Sequence, residues 1–204
     1  MIEEGYIKYH CNWVYTPALN SDRISEVNYW RKKLHVMRMI GEYENGVSYG
    51  NISVRGDRPG EFIITGTQTG GISCLTEKHY TTVTDFDWRT NRVTCEGPIE
   101  ASSETLTHAA LYVANSEINA VVHVHHLRLW ETLQRKVLTT PKACAYGTPE
   151  MAQAIIRLFQ ESNLNEQKIL VMEGHKEGIV AFGIDLEEAA NIILKYYYYT
   201  MPDY

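Results

Sequence analysis

Several things this chain lacks narrow what it can be. No stretch approaches the roughly 20 apolar residues needed to span a bilayer. The first residues, Met1-Ile2-Glu3-Glu4-Gly5, put acidic side chains where a secretory leader needs positive charge and then an apolar run. Basic residues never cluster beyond Arg31-Lys32-Lys33, and 19 basic against 25 acidic residues leave a net charge of -6. Nucleic acid or an anionic membrane as the main partner would ask for the opposite sign. Cysteine is sparse: Cys11, Cys74, Cys95 and Cys144 are scattered, with no C-x-x-C pair. They read as reduced thiols rather than a disulfide framework. There is no internal repeat, linker or low-complexity tract. The expectation is a cytoplasmic protein whose 204 residues suffice for a full core without disulfide or metal staples.

What is present centres on Asn119-Ala120-Val121-Val122-His123-Val124-His125. The run is short, β-branched and apolar, and so predicts a buried strand. Side chains alternate along a strand, so His123 and His125 share one face while Val124 points into the core. A single buried histidine is ordinarily a satisfied core group. Two on one face at a strand end can grip a divalent ion.

The rest of the chain predicts helices before, between and after strands. Residues 1–23 are aromatic without a period (Tyr6, Tyr9, Trp13, Tyr15) and read as an irregular N-terminal arm on the body or on a neighbouring subunit, with 24–204 as a single domain. Ile24, Val27, Trp30, Leu34, Met37 and Ile40 recur at helical spacing, which predicts an amphipathic helix of about 18 residues stopping near Glu44-Asn45-Gly46. Strand-like runs follow at 49–55 and 61–65, then a Gly/Thr loop at 66–71 and a hairpin around 88–91. Ser102-Ser103-Glu104 opens a helix to about Ser116 with Leu106, Ala109, Ala110 and Val113 inward. A short helical piece covers 127–133. Thr148-Pro149-Glu150 starts another helix, since threonine caps and proline fits the first turn. Two strands flank Glu173-Gly174-His175, and Asp185 opens a last helix with Ala189, Ala190, Ile192, Ile193 and Tyr196 on one face. This is an α/β layered domain.

His175 lies in a bend between strands, where a side chain reaches outward to a site. Three histidines leave a coordination position open, as in catalytic rather than structural zinc sites. Imidazole suits zinc best, although cobalt, nickel, iron and manganese also take it. Glu104, in a first helical turn where the dipole favours a carboxylate, is the companion general base or displaceable ligand. Asn51, Thr69, Ser102 and Ser103 sit beside glycines or at a helix start, where backbone N–H groups suit an anion. Together with the metal set they suggest a phosphorylated, oxygen-rich substrate. His108, one helical turn beyond Glu104, and His126 read as supporting or core groups, because a fourth ligand would close the open position.

Gly50-Asn51-Ile52-Ser53, Thr65-Gly66 with Thr69-Gly70, Ser102-Ser103-Glu104, His108, His123-Val124-His125, Tyr146-Gly147-Thr148-Pro149 and Gly174-His175 follow one another as in the class II aldolase/adducin family, which the chain resembles over roughly residues 24–200. The resemblance implies an α/β/α three-layer fold with a mainly antiparallel central sheet and a homotetramer with sites between subunits. It makes His123, His125 and His175 the zinc ligands, Glu104 the catalytic acid/base, and Asn51, Ser102, Ser103 and a threonine-glycine pair, Thr69-Gly70 rather than Thr65-Gly66, the phosphate cradle. The implied reaction is retro-aldol cleavage of a small sugar phosphate through a metal-bound enediolate.

One departure stands out. Aldolases of the family carry a proton-transferring tyrosine between the H-x-H strand and the Gly-Thr-Pro turn, but here the connection from His126 to Tyr146 is short and holds no tyrosine before Tyr146 itself. A C-terminal tyrosine of the family has candidates in Tyr196 to Tyr199 and Tyr204. Two other readings follow from the same resemblance. A sugar-phosphate 4-epimerase or dehydratase would keep the metal and recruit an acidic or tyrosine partner after the H-x-H strand, where Glu131 and Glu150 are available. A non-catalytic, adducin-like interaction domain would instead show broken ligands, whereas all four stand here.

Overall fold

The computed structural model describes residues 6–200; the leader reading of Met1 to Gly5 and the candidate Tyr204 lie outside them. In chain order the elements are β1 (His10–Tyr15), α1 (Ser25–Val36), β2 (Gly41–Glu42), β3 (Ser48–Tyr49), β4 (Asn51–Arg55), β5 (Phe62–Thr65), β6 (Tyr80–Asp87) and β7 (Arg92–Gly97). Then come α2 (Thr105–Ala114), β8 (Ala120–His125), α3 (Leu127–Leu133), β9 (Leu138–Thr140), α4 (Pro149–Glu161), α5 (Leu164–Gln167), β10 (Ile169–Met172), β11 (Gly178–Gly183) and α6 (Leu186–Thr200). Among the described residues, nine strands form one mixed sheet in the order β1-β7-β6-β5-β4-β8-β11-β10-β9, and β2 and β3 pair as a separate ribbon. The outermost pairings, β1 with β7 and β9 with β10, are parallel. Every pairing between them is antiparallel, so the sheet is mainly antiparallel, as expected, but not strictly so.

Helices cover both faces, which gives three layers. On one side Leu34 of α1, Leu129 of α3 and Ile193 of α6 pack on Ile52, Val122, Val124 and Ile179. On the other, Leu106 and Ala109 of α2 and Met151 and Ile155 of α4 pack on Ile64, Val121, Leu170 and Val180. A sheet buried on both faces needs apolar residues at every position of its central strands. That is why β10 and β11 read as continuous apolar runs, as β8 does up to Val122, and why all three are buried throughout.

Local chemistry sets the ends. Thr148 accepts from the Met151 N–H to cap α4, with Pro149 in its first turn. Asp185 accepts from the Glu188 N–H at the start of α6 (2.7 Å). The first helix stops well short of the expected Glu44: α1 ends at Val36 because Arg38 takes a left-handed conformation (φ 55°). The Arg38 N–H then donates to His35 O (2.9 Å) and the Met39 N–H to Leu34 O (2.9 Å), a Schellman closure made without the usual glycine. Ile40, expected on the helical stripe, is buried by the reversal instead, together with Met39. Three further differences stand against the sequence reading. Val113 faces solvent. β9 and α5 form where nothing was expected. The supposedly irregular arm contains β1, paired with β7 from His10 opposite Arg92 to Tyr15 opposite Gly97.

Candidate metal centre and active site

The centre of the sheet, β5-β4-β8-β11, brings distant residues to one end. Asn51 opposes His123 across β4 and β8, and Gly178 opposes His125 across β8 and β11, which returns the His175 turn to the same place. His123 and His125 fall on the α2/α4 side of the sheet, in step with Val121. Three imidazoles converge here: His123 and His125 have ring centroids 4.9 Å apart, His125 and His175 4.6 Å, His123 and His175 5.2 Å. One potential ligand atom from each lies within 4.8 Å of the other two, and all three residues are buried.

Burial in the first place, and the neighbouring histidines in the second, hold the His123 and His125 rings well below their ordinary pKa. Both are therefore neutral near pH 7, the form that binds metal. His123 Nε2 is buried without a hydrogen-bond partner, an unfavourable state for a polar atom that a divalent cation would relieve. The donor set, three neutral nitrogens with a carboxylate close by, suits zinc or a similar ion.

That carboxylate is Glu104, held at the residue preceding α2. Its Oε1 lies 3.3 Å from His175 Nδ1, and its Oε2 accepts from the Thr107 hydroxyl (2.6 Å). Asn51 Nδ2 lies 3.0 Å from Ser102 Oγ and 3.4 Å from His123 Nδ1. One pocket joins these groups; its lining includes Asn51, Thr69, Gly70, Ser102, Ser103, Glu104, Tyr146 and the three histidines. Of the two threonine-glycine pairs, Thr69-Gly70 lines the pocket in full, whereas Thr65 is absent from the lining. Among the described residues, no lysine or arginine lines the pocket.

Other groups matter that the sequence reading did not assign. Arg31, noted in the sequence only as part of the basic run Arg31-Lys32-Lys33, is buried. Its guanidinium donates to Thr69 O and Gly70 O (2.8 Å each) and to Ser73 O (3.3 Å), clasping the pocket loop from behind. Gly70 is required for a different reason: a Cβ there would overlap Gly41 O and approach Tyr49 O to 2.9 Å, so only glycine lets this loop dock on the β2–β3 ribbon. That ribbon sets Tyr49 against His125 (centroids 5.4 Å, 27°) and Tyr43 Oη 2.9 Å from His125 Nδ1. Tyr146 is buried with its ring 4.7 Å from His175. From the arm, Lys8 Nζ sits 3.4 Å from the Tyr146 ring centroid and the Tyr6 N–H donates to its hydroxyl (3.4 Å). These roles depend on long-range placement, and no local pattern signals them.

The remaining expected groups fall elsewhere. His108 pairs with Ser53 Oγ (2.7 Å) and burial alone lowers its pKa to about 3. His126 caps α3, accepting from the Leu129 N–H (3.1 Å). Tyr197 packs on His126, and Tyr198 and Tyr199 are exposed. Neither Glu131, Glu150 nor any C-terminal tyrosine among the described residues lines the pocket.

Residues 36–199 match the family described as Class II Aldolase and Adducin N-terminal domain. Among solved structures, an L-fuculose 1-phosphate aldolase superposes with a TM-score of 0.67 at 21% identity, covering 91% of this chain and 85% of its own. A sugar-phosphate aldolase from Thermotoga maritima gives 0.65 at 18% identity, covering 89% and 93%. YgbL from Escherichia coli, for which aldolase, epimerase and decarboxylase activities have been suggested, gives 0.63 at 19%, covering 90% and 88%. No curated protein sequence matches. At these identities the structural likeness speaks for the fold. No helix among the described residues is long and apolar enough to cross a membrane.

Proposed function

The chain belongs to the class II aldolase and adducin family, and from that membership we propose that it is a metal-dependent aldehyde-lyase that cleaves a small sugar phosphate by a retro-aldol reaction. One observation carries the reading: three buried imidazoles meet the Glu104 carboxylate in a pocket otherwise lined by hydroxyls, amides and glycines. An interaction domain has no use for such a set, which costs stability to bury.

His123, His125 and His175 would hold one divalent ion, with Zn2+ the best match to three nitrogens and an open position. When bound, the ion supplies Lewis-acid stabilisation of charge developing on the substrate oxygens, worth several kcal/mol. The chain does the rest. Glu104, oriented by Thr107, takes and returns the proton at the carbon beside the carbonyl. Asn51, Thr69, Gly70, Ser102 and Ser103 would hold the phosphate through neutral donors and N–H groups at the head of α2. The Arg31 guanidinium adds positive charge behind that loop. The epimerase and dehydratase readings asked for an acidic or tyrosine partner after β8. Glu131 and Glu150 are exposed and outside the pocket, so neither supplies that partner. We further propose a cytoplasmic homotetramer in which residues 1–23 act as an arm on a single domain, 24–204.

Solvent deuterium exchange into dihydroxyacetone phosphate, followed by NMR, tests the reading without requiring the correct aldehyde. Exchange that is abolished by chelator and by Glu104→Gln is expected. No exchange by metal-loaded protein, with dihydroxyacetone phosphate or with other small ketose and hydroxyaldehyde fragments, would overturn the lyase assignment.

A further inference from the structure

The β2–β3 ribbon does more than line the pocket. Tyr43, which precedes its turn, places its hydroxyl between two groups: 2.9 Å from His125 Nδ1 and 3.0 Å from Glu177 Oε2. A carboxylate only accepts, so the phenol must donate to Glu177. Its oxygen is then left to accept, and His125 Nδ1 must carry the hydrogen that fills it. The reverse arrangement would set the phenol oxygen against the carboxylate with no proton between them. With Nδ1–H fixed, Nε2 is the lone-pair nitrogen of His125.

A second observation bears on Glu177. His175 to Gly178 form a tight turn closed by the Gly178 N–H on His175 O (2.9 Å), and Glu177 is its third residue, with a φ of 71°. That backbone favours glycine or asparagine, and a glutamate there is strained. Strain kept at a functional turn points to a use for the side chain. The carboxylate finds that use at Tyr43. The same turn carries His175, so one turn supplies one member of the histidine cluster directly and orients a second through Tyr43.

From these observations we infer that Tyr43 and Glu177 are positioning residues that hold His125 in its Nδ1–H tautomer and thereby set it as an Nε2 metal ligand. The inference rests on the reading of His123, His125 and His175 as a metal site. Tyr49, stacked on the same ring and 4.5 Å from the Tyr43 ring centroid, limits the ring's freedom from the side. Outer groups of this kind typically contribute 10–100-fold in metal affinity.

The test is made on the intact chain with two readouts. In metal-free protein, the ring-nitrogen chemical shifts of His125 report its tautomer. Chelator competition with Zn2+ then gives affinity. Wild type is expected to show Nδ1–H and bind zinc. Tyr43→Phe should lose the tautomer preference and weaken zinc about 10–100-fold. Glu177→Gly should do the same while leaving thermal stability unchanged or raised, because glycine suits the turn. Glu177→Gln, which still accepts from the phenol, should fall between. Zinc affinity within twofold of wild type in both Tyr43→Phe and Glu177→Gly, with His125 still Nδ1–H, would overturn the inference while leaving the metal site standing. A wild type that binds no zinc would instead overturn the metal reading beneath it.

Discussion

The two faces of β8 make an instructive pair. Ala120, Val122 and Val124 point toward α1, α3 and α6, and Val121, His123 and His125 toward α2 and α4; all six are buried. One face is apolar to its end and merges into a continuous core. The other begins the same way at Val121 and then gives up core packing for two imidazoles, where the strand reaches the pocket. Equal burial therefore conceals opposite roles. The apolar face contributes stability, and the histidine face trades stability for a set of neutral donors. The period-two alternation of a strand lets one segment do both within two residues.

The contrast is broken most strongly at His123. His123→Ala should leave a folded protein without its stoichiometric metal, checked by metal analysis alongside circular dichroism; full occupancy would dissolve the distinction between the faces. Next is Glu104→Gln, expected to keep metal and lower turnover about 10²–10⁴-fold, measured as fragment exchange or cleavage. Val122→Ala, on the opposite face, should show the reverse pattern. A loss of about 2 kcal/mol in denaturant unfolding is expected from the missing methyls and the cavity, with zinc affinity unchanged.

Acid separates the faces again. His108 is held near pKa 3 by burial against an ordinary value of 6.5. Below about pH 6.5 the unfolded chain therefore takes up a proton that the folded one refuses, and stability falls as pH falls. Replacing His108 with asparagine should flatten that slope in the metal-free protein by about 1.4 kcal/mol per pH unit between roughly pH 6 and 4. An unchanged slope would mean that His108 is charged in the fold. The smallest effect is at the cradle. Ser103→Ala should raise KM for a phosphorylated substrate about tenfold, in line with one hydrogen bond to a charged group, and leave an unphosphorylated analogue alone.

The features legible in the sequence were those written in local chemistry. Alternation along β8 put His123 and His125 on one face. Thr148-Pro149 marked α4, and Asp185 marked α6. What escaped was set by partners far along the chain. β1 is exposed along most of its length, so it shows no alternation, and its pairing partner lies about 80 residues away. Arg38 ends α1 in a conformation that glycine normally announces. Arg31 looks like a surface cation until the loop at Thr69 and Gly70 folds over it. Tyr43 acquires a role only because the ribbon, the end of β8 and the Glu177 turn meet in space, which no spacing in the sequence encodes.

Metal content of the purified protein tests the whole reading most directly. Native mass spectrometry with elemental analysis should find one divalent ion per chain, removable by chelator, restored by Zn2+, and missing from His123→Ala. A folded wild-type protein that takes up no ion under zinc excess would show that the three histidines are only a buried polar cluster, and the proposed chemistry would fall with them.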